Sequence, residues 1–245
     1  MKVSVVACYK HVRPGELEDK TVVVIDALRA SATIITAIDN GCIKLMPAQD
    51  TEAAMKLYRS TEGKYLLCGE REGYKISGYH LGNSPLEYKE EIVKDNSLIF
   101  TTTNGSKCIV SATFAKQIVI GTFINALAIA KYLVDGQAQE VCLLGAGEEG
   151  AFAMEDVLAA GAILSRMMSL TKEVELDDLG VLAHYYYTQF EGNLEKALEG
   201  TKHYSYLKSI GFEQDIDYCL SMDIVDTIPV YQEGEIVALK QPKSV

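Results

Sequence analysis

Tryptophan is absent and proline occurs only 5 times in 245 residues. That excludes a proline-rich linker or a collagen-like repeat and leaves long segments free to run as helix or strand. Histidine is also scarce: His11, His80, His184 and His203 show no paired spacing of the zinc-binding kind, so they are expected as surface or core residues. The 6 cysteines include no CxxC pair, which argues against a zinc ribbon or a thioredoxin-type redox site. Cys142 lies inside the apolar run Val141-Cys142-Leu143-Leu144, and the set is expected to be reduced core thiols in a reducing, cytoplasmic location. No apolar run approaches the length that spans a bilayer, and Lys10 and His11 come too early for a signal-peptide apolar region, so no membrane partner is expected. Positive charge is the remaining shortage. With 23 Lys and Arg against 34 Asp and Glu the chain carries a formal charge of −11, which disfavours nucleic acid as a partner. An anionic ligand would need a few focused cations, and a divalent metal is one source of them.

What the chain does contain is a rhythm. Short β-branched apolar runs at 21–25, 43–47, 65–68, 98–101, 117–120 and 140–144 alternate with stretches of helical spacing at 31–40, 51–61, 85–94, 106–115, 126–133 and 151–169. Repeated βα units of this kind predict an α/β fold, a mostly parallel or mixed sheet flanked by helices in three layers. After residue 170 the texture becomes helical and tyrosine-rich, at 176–190, 194–198 and 204–210, and a hairpin is expected from 228–231 and 236–239 around Glu233-Gly234. No internal repeat or low-complexity tract appears. The expectation is one domain over 1–245, the shift near 170 marking at most two subdomains.

In such a sheet ligands bind beyond the carboxyl ends of the strands, and the residues following these runs are polar. Asp26 leaves an apolar strand in the manner of a ligand for a hard cation; a solvated loop carboxylate is the plain alternative. Arg29, Ser31 and Thr33 open a helix, where free N–H groups and a guanidinium favour an anion, although Ser31 could be a simple N-cap. Thr101-Thr102-Thr103-Asn104-Gly105-Ser106 repeats that arrangement, with Lys107 beside it. Glu70-Arg71 adds a second carboxylate and guanidinium, followed by a loop with Gly73, Gly78 and Gly82 that is either a lid or a surface connection. Glu155-Asp156, adjacent acids on a helix, suggest solvent exposure.

Two motif tests bear on the reaction class. Gly145-Ala146-Gly147-Glu148-Glu149-Gly150 matches the GxGxxG dinucleotide fingerprint between strand and helix, but Glu148 and Glu149 put negative charge where a pyrophosphate would sit. A nucleotide-dependent oxidoreductase is therefore the alternative reading, and a non-catalytic anion-binding protein a third. A haloacid-dehalogenase phosphatase needs an Asp where Leu28 stands, and no Cys is followed six residues later by Arg.

The ordered set Val23-Val24-Ile25-Asp26-Ala27-Leu28-Arg29-Ala30-Ser31-Ala32-Thr33, Gly69-Glu70-Arg71, Gly82-Asn83-Ser84-Pro85, Thr101 through Ser106, Phe123-Ile124-Asn125-Ala126 and Glu155-Asp156 with Ala160-Gly161 resembles the 2-phosphosulfolactate phosphatase family. That resemblance implies Mg²⁺-dependent hydrolysis of 2-phospho-3-sulfolactate to 3-sulfolactate and inorganic phosphate, a step of coenzyme M biosynthesis. Another phosphorylated small hydroxy acid is the alternative substrate. The resemblance also implies Asp26, Arg29 and Glu70 as catalytic residues and Asp26, Glu70, Glu155 and Asp156 as metal ligands, with Asp26 as a covalent nucleophile left open. Ser31, Thr33, Arg71, Asn83, Ser84, Thr102, Thr103, Asn104, Gly105, Ser106 and Asn125 are the implied substrate contacts. The expected partner is a small anionic phosphate ester, and a homodimer is the default expectation for a soluble enzyme. The tyrosine-rich stretch from Tyr185 to Tyr206 matches nothing diagnostic.

Overall fold

The computed structural model describes residues 1–239. Eleven strands form one sheet: β1 (Lys2–Val6), β2 (Thr21–Ile25), β3 (Lys44–Pro47), β4 (Tyr65–Arg71), β5 (Tyr74–Lys75), β6 (Ser97–Thr101), β7 (Gln117–Ile120), β8 (Glu140–Gly145), β9 (Glu175–Leu176), β10 (Pro229–Gln232) and β11 (Glu235–Ala238). Among the described residues ten α-helices accompany it: α1 (Ala30–Asp39), α2 (Thr51–Ser60), α3 (Glu90–Val93), α4 (Gly105–Ser111), α5 (Ala126–Asp135), α6 (Met154–Leu170), α7 (Asp178–Phe190), α8 (Leu194–Leu198), α9 (Lys202–Ser209) and α10 (Glu213–Cys219). The α/β class and the mixed sheet agree with the sequence reading.

Strand order is β5-β4-β6-β3-β11-β10-β7-β2-β8-β1-β9. The pairs β4/β6, β6/β3, β7/β2, β2/β8, β8/β1 and β1/β9 are parallel. The β10–β11 hairpin joins the two parallel blocks by antiparallel pairing to β7 and β3. The central strands β2 and β6 are buried along their whole length, as continuous β-branched runs covered on both faces must be. All five residues of Thr-Val-Val-Val-Ile in β2 are buried, and helices α1, α5 and α6 supply much of the apolar cover.

Several element boundaries differ from expectation for local reasons. The expected helix over 85–94 is a 3-10 turn at Pro85–Glu87 followed by the single turn α3. Tyr88 interrupts it by turning inward, its hydroxyl donating 2.7 Å to the Gly82 carbonyl. α4 stops at Ser111, short of the expected 115. α6 starts at Met154 instead of 151, because Glu148 and Ala151 first exchange a pair of backbone hydrogen bonds of 3.0 and 2.9 Å. β4 runs on to Arg71, so Glu70 and Arg71 belong to the strand itself. Strands β1, β5 and β9 and helix α10 were not expected.

Candidate active site

Segments leaving the carboxyl ends of β2, β4, β6 and β8 converge on one cavity of about 720 Å³, closed on the other side by α9. That is a volume ordinary for a small-molecule site. Asp26 is recessed in its wall, and the chain around it is tightly tied. Its N–H donates 2.8 Å to Ser31 Oγ, its carbonyl accepts the Ser31 N–H at 2.9 Å, and its Oδ1 accepts the Ala30 N–H at 3.3 Å. Four strands separate β6 from β2 in the sheet, yet the segments that leave them meet. A Cβ added at Gly105 would lie 2.6 Å from Asp26 Oδ2 and 2.8 Å from the Ala30 Cβ, so only glycine lets α4 start here.

Glu70 and Asp156 act as clamps. Glu70 accepts the Thr103 N–H at 2.7 Å on Oε1 and the Gly73 N–H at 3.0 Å on Oε2, joining the β4–β5 turn to the loop after β6. Asp156 accepts the Ala27 N–H at 2.8 Å and the Gly147 N–H at 2.9 Å, joining the loops after β2 and β8. Glu155 and Asp156 are 2% and 4% exposed. The solvent-exposed reading of this acidic pair is thereby corrected: one turn into α6 both carboxylates face inward, and backbone donors or an imidazole meet them.

Arg29 is buried. Its Nη1 donates 2.6 Å to Asp215 Oδ2, its Nη2 donates 2.7 Å to the Gly73 carbonyl, and its guanidinium carbon sits 4.0 Å from the centre of the Phe212 ring. Arg71 donates 2.6 Å to the Glu70 carbonyl and 3.0 Å to Thr101 Oγ1. Asn83 also faces the cavity, and its buried Oδ1 has no hydrogen-bond partner among the described residues. Thr103 and Asn104 complete this side, and Asn104 makes no side-chain capping bond to α4.

The remaining expected contacts lie in the supporting wall and do not line the cavity. Ser31 Oγ is taken up by the Asp26 N–H. Thr33 Oγ1 donates 2.9 Å to the Asn83 carbonyl, and Ser84 Oγ donates 2.6 Å to Asp215 Oδ1. Thr102 and Ser106 cap each other, N–H to hydroxyl, at 2.9 and 3.0 Å. Asn125 accepts the Thr122 N–H at 3.0 Å and donates to the carbonyls of Ile120 and Thr227. Gly105 serves by the close approach already described. Lys107, expected beside the anion cradle, is exposed and turned away.

Sequence reasoning missed the opposite wall. Lys202, His203 and Tyr206 on α9 face the cavity. His203 Nδ1 is 2.7 Å from Glu155 Oε1, Lys202 pairs with Glu149 at 2.9 Å and Glu148 at 3.4 Å, and the Tyr206 hydroxyl donates 3.0 Å to the Glu72 carbonyl. His203 is thus a site residue, correcting its reading as a surface or core histidine. The only signal in the sequence was polar character at positions i, i+1 and i+4 of a short helix.

Electrostatically the cavity is short of positive charge. Burial pushes the Asp26 carboxyl up to about 6; His203 and the Ala30 N–H oppose this, while Glu70 and Glu155 add to it. Burial, with Asp26 and Glu155 beside it, raises Asp156 well above the ordinary carboxylate range. Among the described residues no three His, Cys, Asp or Glu side chains form a ready-made metal cage. The donor set nonetheless suits a hard cation: among the described residues Asp26 Oδ2 and Glu155 Oε2 have no hydrogen-bond partner, and Mg²⁺ commonly takes only one or two carboxylates and fills its shell with water and phosphate.

The Gly145–Gly150 loop does not form a dinucleotide cradle. The Gly147 N–H is spent on Asp156, Glu148 and Glu149 hold Lys202, and the next helix begins only at Met154.

Comparison with known proteins finds relatives along nearly the whole chain. The family model for 2-phosphosulpholactate phosphatase matches residues 7–234. A Clostridium novyi protein named "Probable 2-phosphosulfolactate phosphatase" is 37% identical over 236 residues, covering 96% of this chain and 99% of its own. Proteins of the same name from Caldicellulosiruptor saccharolyticus and Clostridium acetobutylicum are 39% and 36% identical, covering 93% and 97% of this chain and 96% and 100% of theirs.

Proposed function

This chain belongs to the 2-phosphosulpholactate phosphatase family of phosphoric monoester hydrolases, and from that premise we propose that it hydrolyses 2-phospho-3-sulfolactate to 3-sulfolactate and inorganic phosphate with Mg²⁺. The observation that carries the reading is the convergence of Asp26, Glu70, Glu155 and Asp156 with Arg29, Arg71, Asn83 and Asn104 on one cavity. Buried carboxylates in such number favour a bound cation, and the guanidiniums and amides beside them favour an anion.

Asp26 and Glu155 are the proposed metal ligands, because each keeps an oxygen free. Mg²⁺ held there would polarise the phosphoryl group and lower the pKa of a bound water. Glu70 and Asp156, with both oxygens engaged by backbone N–H groups, hold the loops in register. Arg29, Asn83 and Asn104 bind the phosphate oxygens, the guanidinium offering them its remaining donors. Arg71 binds the distal carboxylate or sulfonate. His203, oriented by Glu155, presents its second ring nitrogen to the substrate from α9. A cytoplasmic location, a homodimer and a place in coenzyme M biosynthesis accompany this reading.

The test is release of phosphate from synthetic 2-phospho-3-sulfolactate and from p-nitrophenyl phosphate, with Mg²⁺ and with EDTA. Metal-dependent release with a preference for the sulfolactate ester is expected. No release from any phosphate ester would overturn the reading in favour of an anion-binding protein.

A further inference from the structure

We propose that Asp215, on the helix α10 that no motif singled out, is the positioning residue that aims two separate parts of the substrate-binding surface at once. This rests on the phosphatase reading above. The Asp215 carboxylate is 3% exposed and divides its two oxygens between two segments: Oδ2 takes Arg29 Nη1 at 2.6 Å and Oδ1 takes Ser84 Oγ at 2.6 Å. Arg29 and Asn83, the neighbour of Ser84, both face the cavity, whereas Asp215 and Ser84 do not. Asp215 therefore touches no substrate and acts only through what it holds.

The physics of Arg29 makes such a partner necessary. A guanidinium removed from water is tolerated only when a carboxylate and further acceptors compensate it. Arg29, 2% exposed, has Asp215 on one nitrogen, the Gly73 carbonyl on another, and the Phe212 ring against its face. Three contacts from two directions fix the plane of the fork. Arg29 lines the cavity, so the N–H groups not spent on Asp215 and Gly73 are the ones available to an anion there, which is how a donor is made ready before its anion arrives.

The Ser84 bond extends the same control to Asn83. The backbone carbonyl of Asn83 is held from the α1 side by Thr33 Oγ1 at 2.9 Å, and the next residue is held by Asp215. Its side-chain Oδ1 is left buried without a partner among the described residues. The backbone that carries this amide is thus held from both sides, leaving Nδ2 to donate to phosphate oxygens and the unpaired acceptor Oδ1, whose burial otherwise carries a penalty, to take a donor that the ligand brings, such as a bound water or a protonated phosphate oxygen. The acidic residue of α10 thereby links the C-terminal helices to the strand-end loops and presets the distance between Arg29 and Asn83.

The experiment measures KM and kcat with the phosphate ester, and the dissociation constant of inorganic phosphate by calorimetry, for the full-length wild type, Asp215→Asn and Ser84→Ala. Asp215→Asn is expected to raise KM and the phosphate dissociation constant together, by about tenfold, while kcat changes much less, the pattern of lost uniform binding. Ser84→Ala, which deletes one hydroxyl and tests the Asn83 arm, is expected to raise both by about threefold without loss of fold. Wild-type KM and wild-type phosphate affinity in folded Asp215→Asn, with only a lowered Tm, would overturn the proposal. If Asp215→Asn does not fold, unchanged KM and phosphate affinity in Ser84→Ala overturn it instead. A wild type that binds phosphate but hydrolyses no ester would defeat the phosphatase reading and leave the calorimetric comparison to decide this one.

Discussion

His203 Nδ1 lies 2.7 Å from Glu155 Oε1, a contact between a helix of the C-terminal region and the first turn of α6 that closes the cavity across its width. Burial by itself would lower the imidazole pKa, but the hydrogen bond and charge of Glu155, with Asp26 and Glu148 beyond, raise it to about 9. A group whose folded pKa exceeds its unfolded value of about 6.5 stabilises the fold most below that value. The contribution is lost as pH rises through 9. In EDTA, wild-type Tm is therefore expected to fall by on the order of 5 °C more than that of His203→Gln between pH 6.5 and 9.5. Parallel curves for the two proteins would show that the pair does not carry the titration.

Asp26 shifts in the same direction, at lower pH. Its folded pKa, pushed up to about 6 by burial, exceeds the ordinary carboxylate value of 3.8. In the metal-free protein its stability contribution is full below about 4 and lost as pH rises through 6, which leaves an ionised, poorly solvated carboxylate at neutral pH. Asp26→Asn removes that cost and keeps an oxygen for the Ala30 N–H. The variant is expected to melt on the order of 5 °C above wild type in EDTA at pH 7.5 and to lose phosphatase activity by at least about 100-fold. A destabilised variant would mean that the carboxylate is well solvated in the fold.

The sequence exposed one wall of the site and hid the other, for a physical reason. Strands β2, β4 and β6 carry continuous apolar runs, and in an α/β sheet the polar residues just past such runs share a rim, so Asp26, Glu70 and Asn104 could be grouped from the sequence alone. Their surroundings were less legible. Ser31, Thr102, Ser106 and Asn125 have the chemistry of phosphate binders, but each is engaged by the backbone of its own turn, and only hydrogen-bond partners distinguish the two uses. Lys202, His203, Tyr206 and Asp215 come from a region without strand-end context, and α9 and α10 reach the site only through tertiary packing. The hairpin at residues 229–238 was foreseeable from its turn, but its insertion between β3 and β7 was not, since pairing partners distant in sequence leave no local trace.

Gly105 offers a test of the meeting between β2 and β6. A methyl group there would stand 2.6 Å from Asp26 Oδ2 and 2.8 Å from the Ala30 Cβ, so either α4 or the Asp26 carboxylate must move. Displacement of a reacting group by about 1 Å costs on the order of 100-fold in rate. Gly105→Ala is expected to reduce kcat by that amount while the protein stays folded, with Tm lowered by a few degrees from overpacking. Unaltered kcat would show that Asp26 tolerates displacement and is remote from the chemistry.

Metal addition separates the phosphatase from the dinucleotide reading of the Gly145–Gly150 loop. Whatever binds the folded state alone raises Tm in proportion to the logarithm of its concentration over Kd. Mg²⁺ competes with a proton for Asp26, so the shift it gives is expected to be small at pH 5, below the Asp26 value of about 6, and to grow by several degrees at pH 7.5. Asp26→Asn should abolish most of that gain. Millimolar NADH should give none at either pH, because the Gly147 N–H is held by Asp156 at 2.9 Å and the glutamates that follow repel a pyrophosphate. Protection by NADH together with indifference to Mg²⁺ would reverse the assignment of this rim.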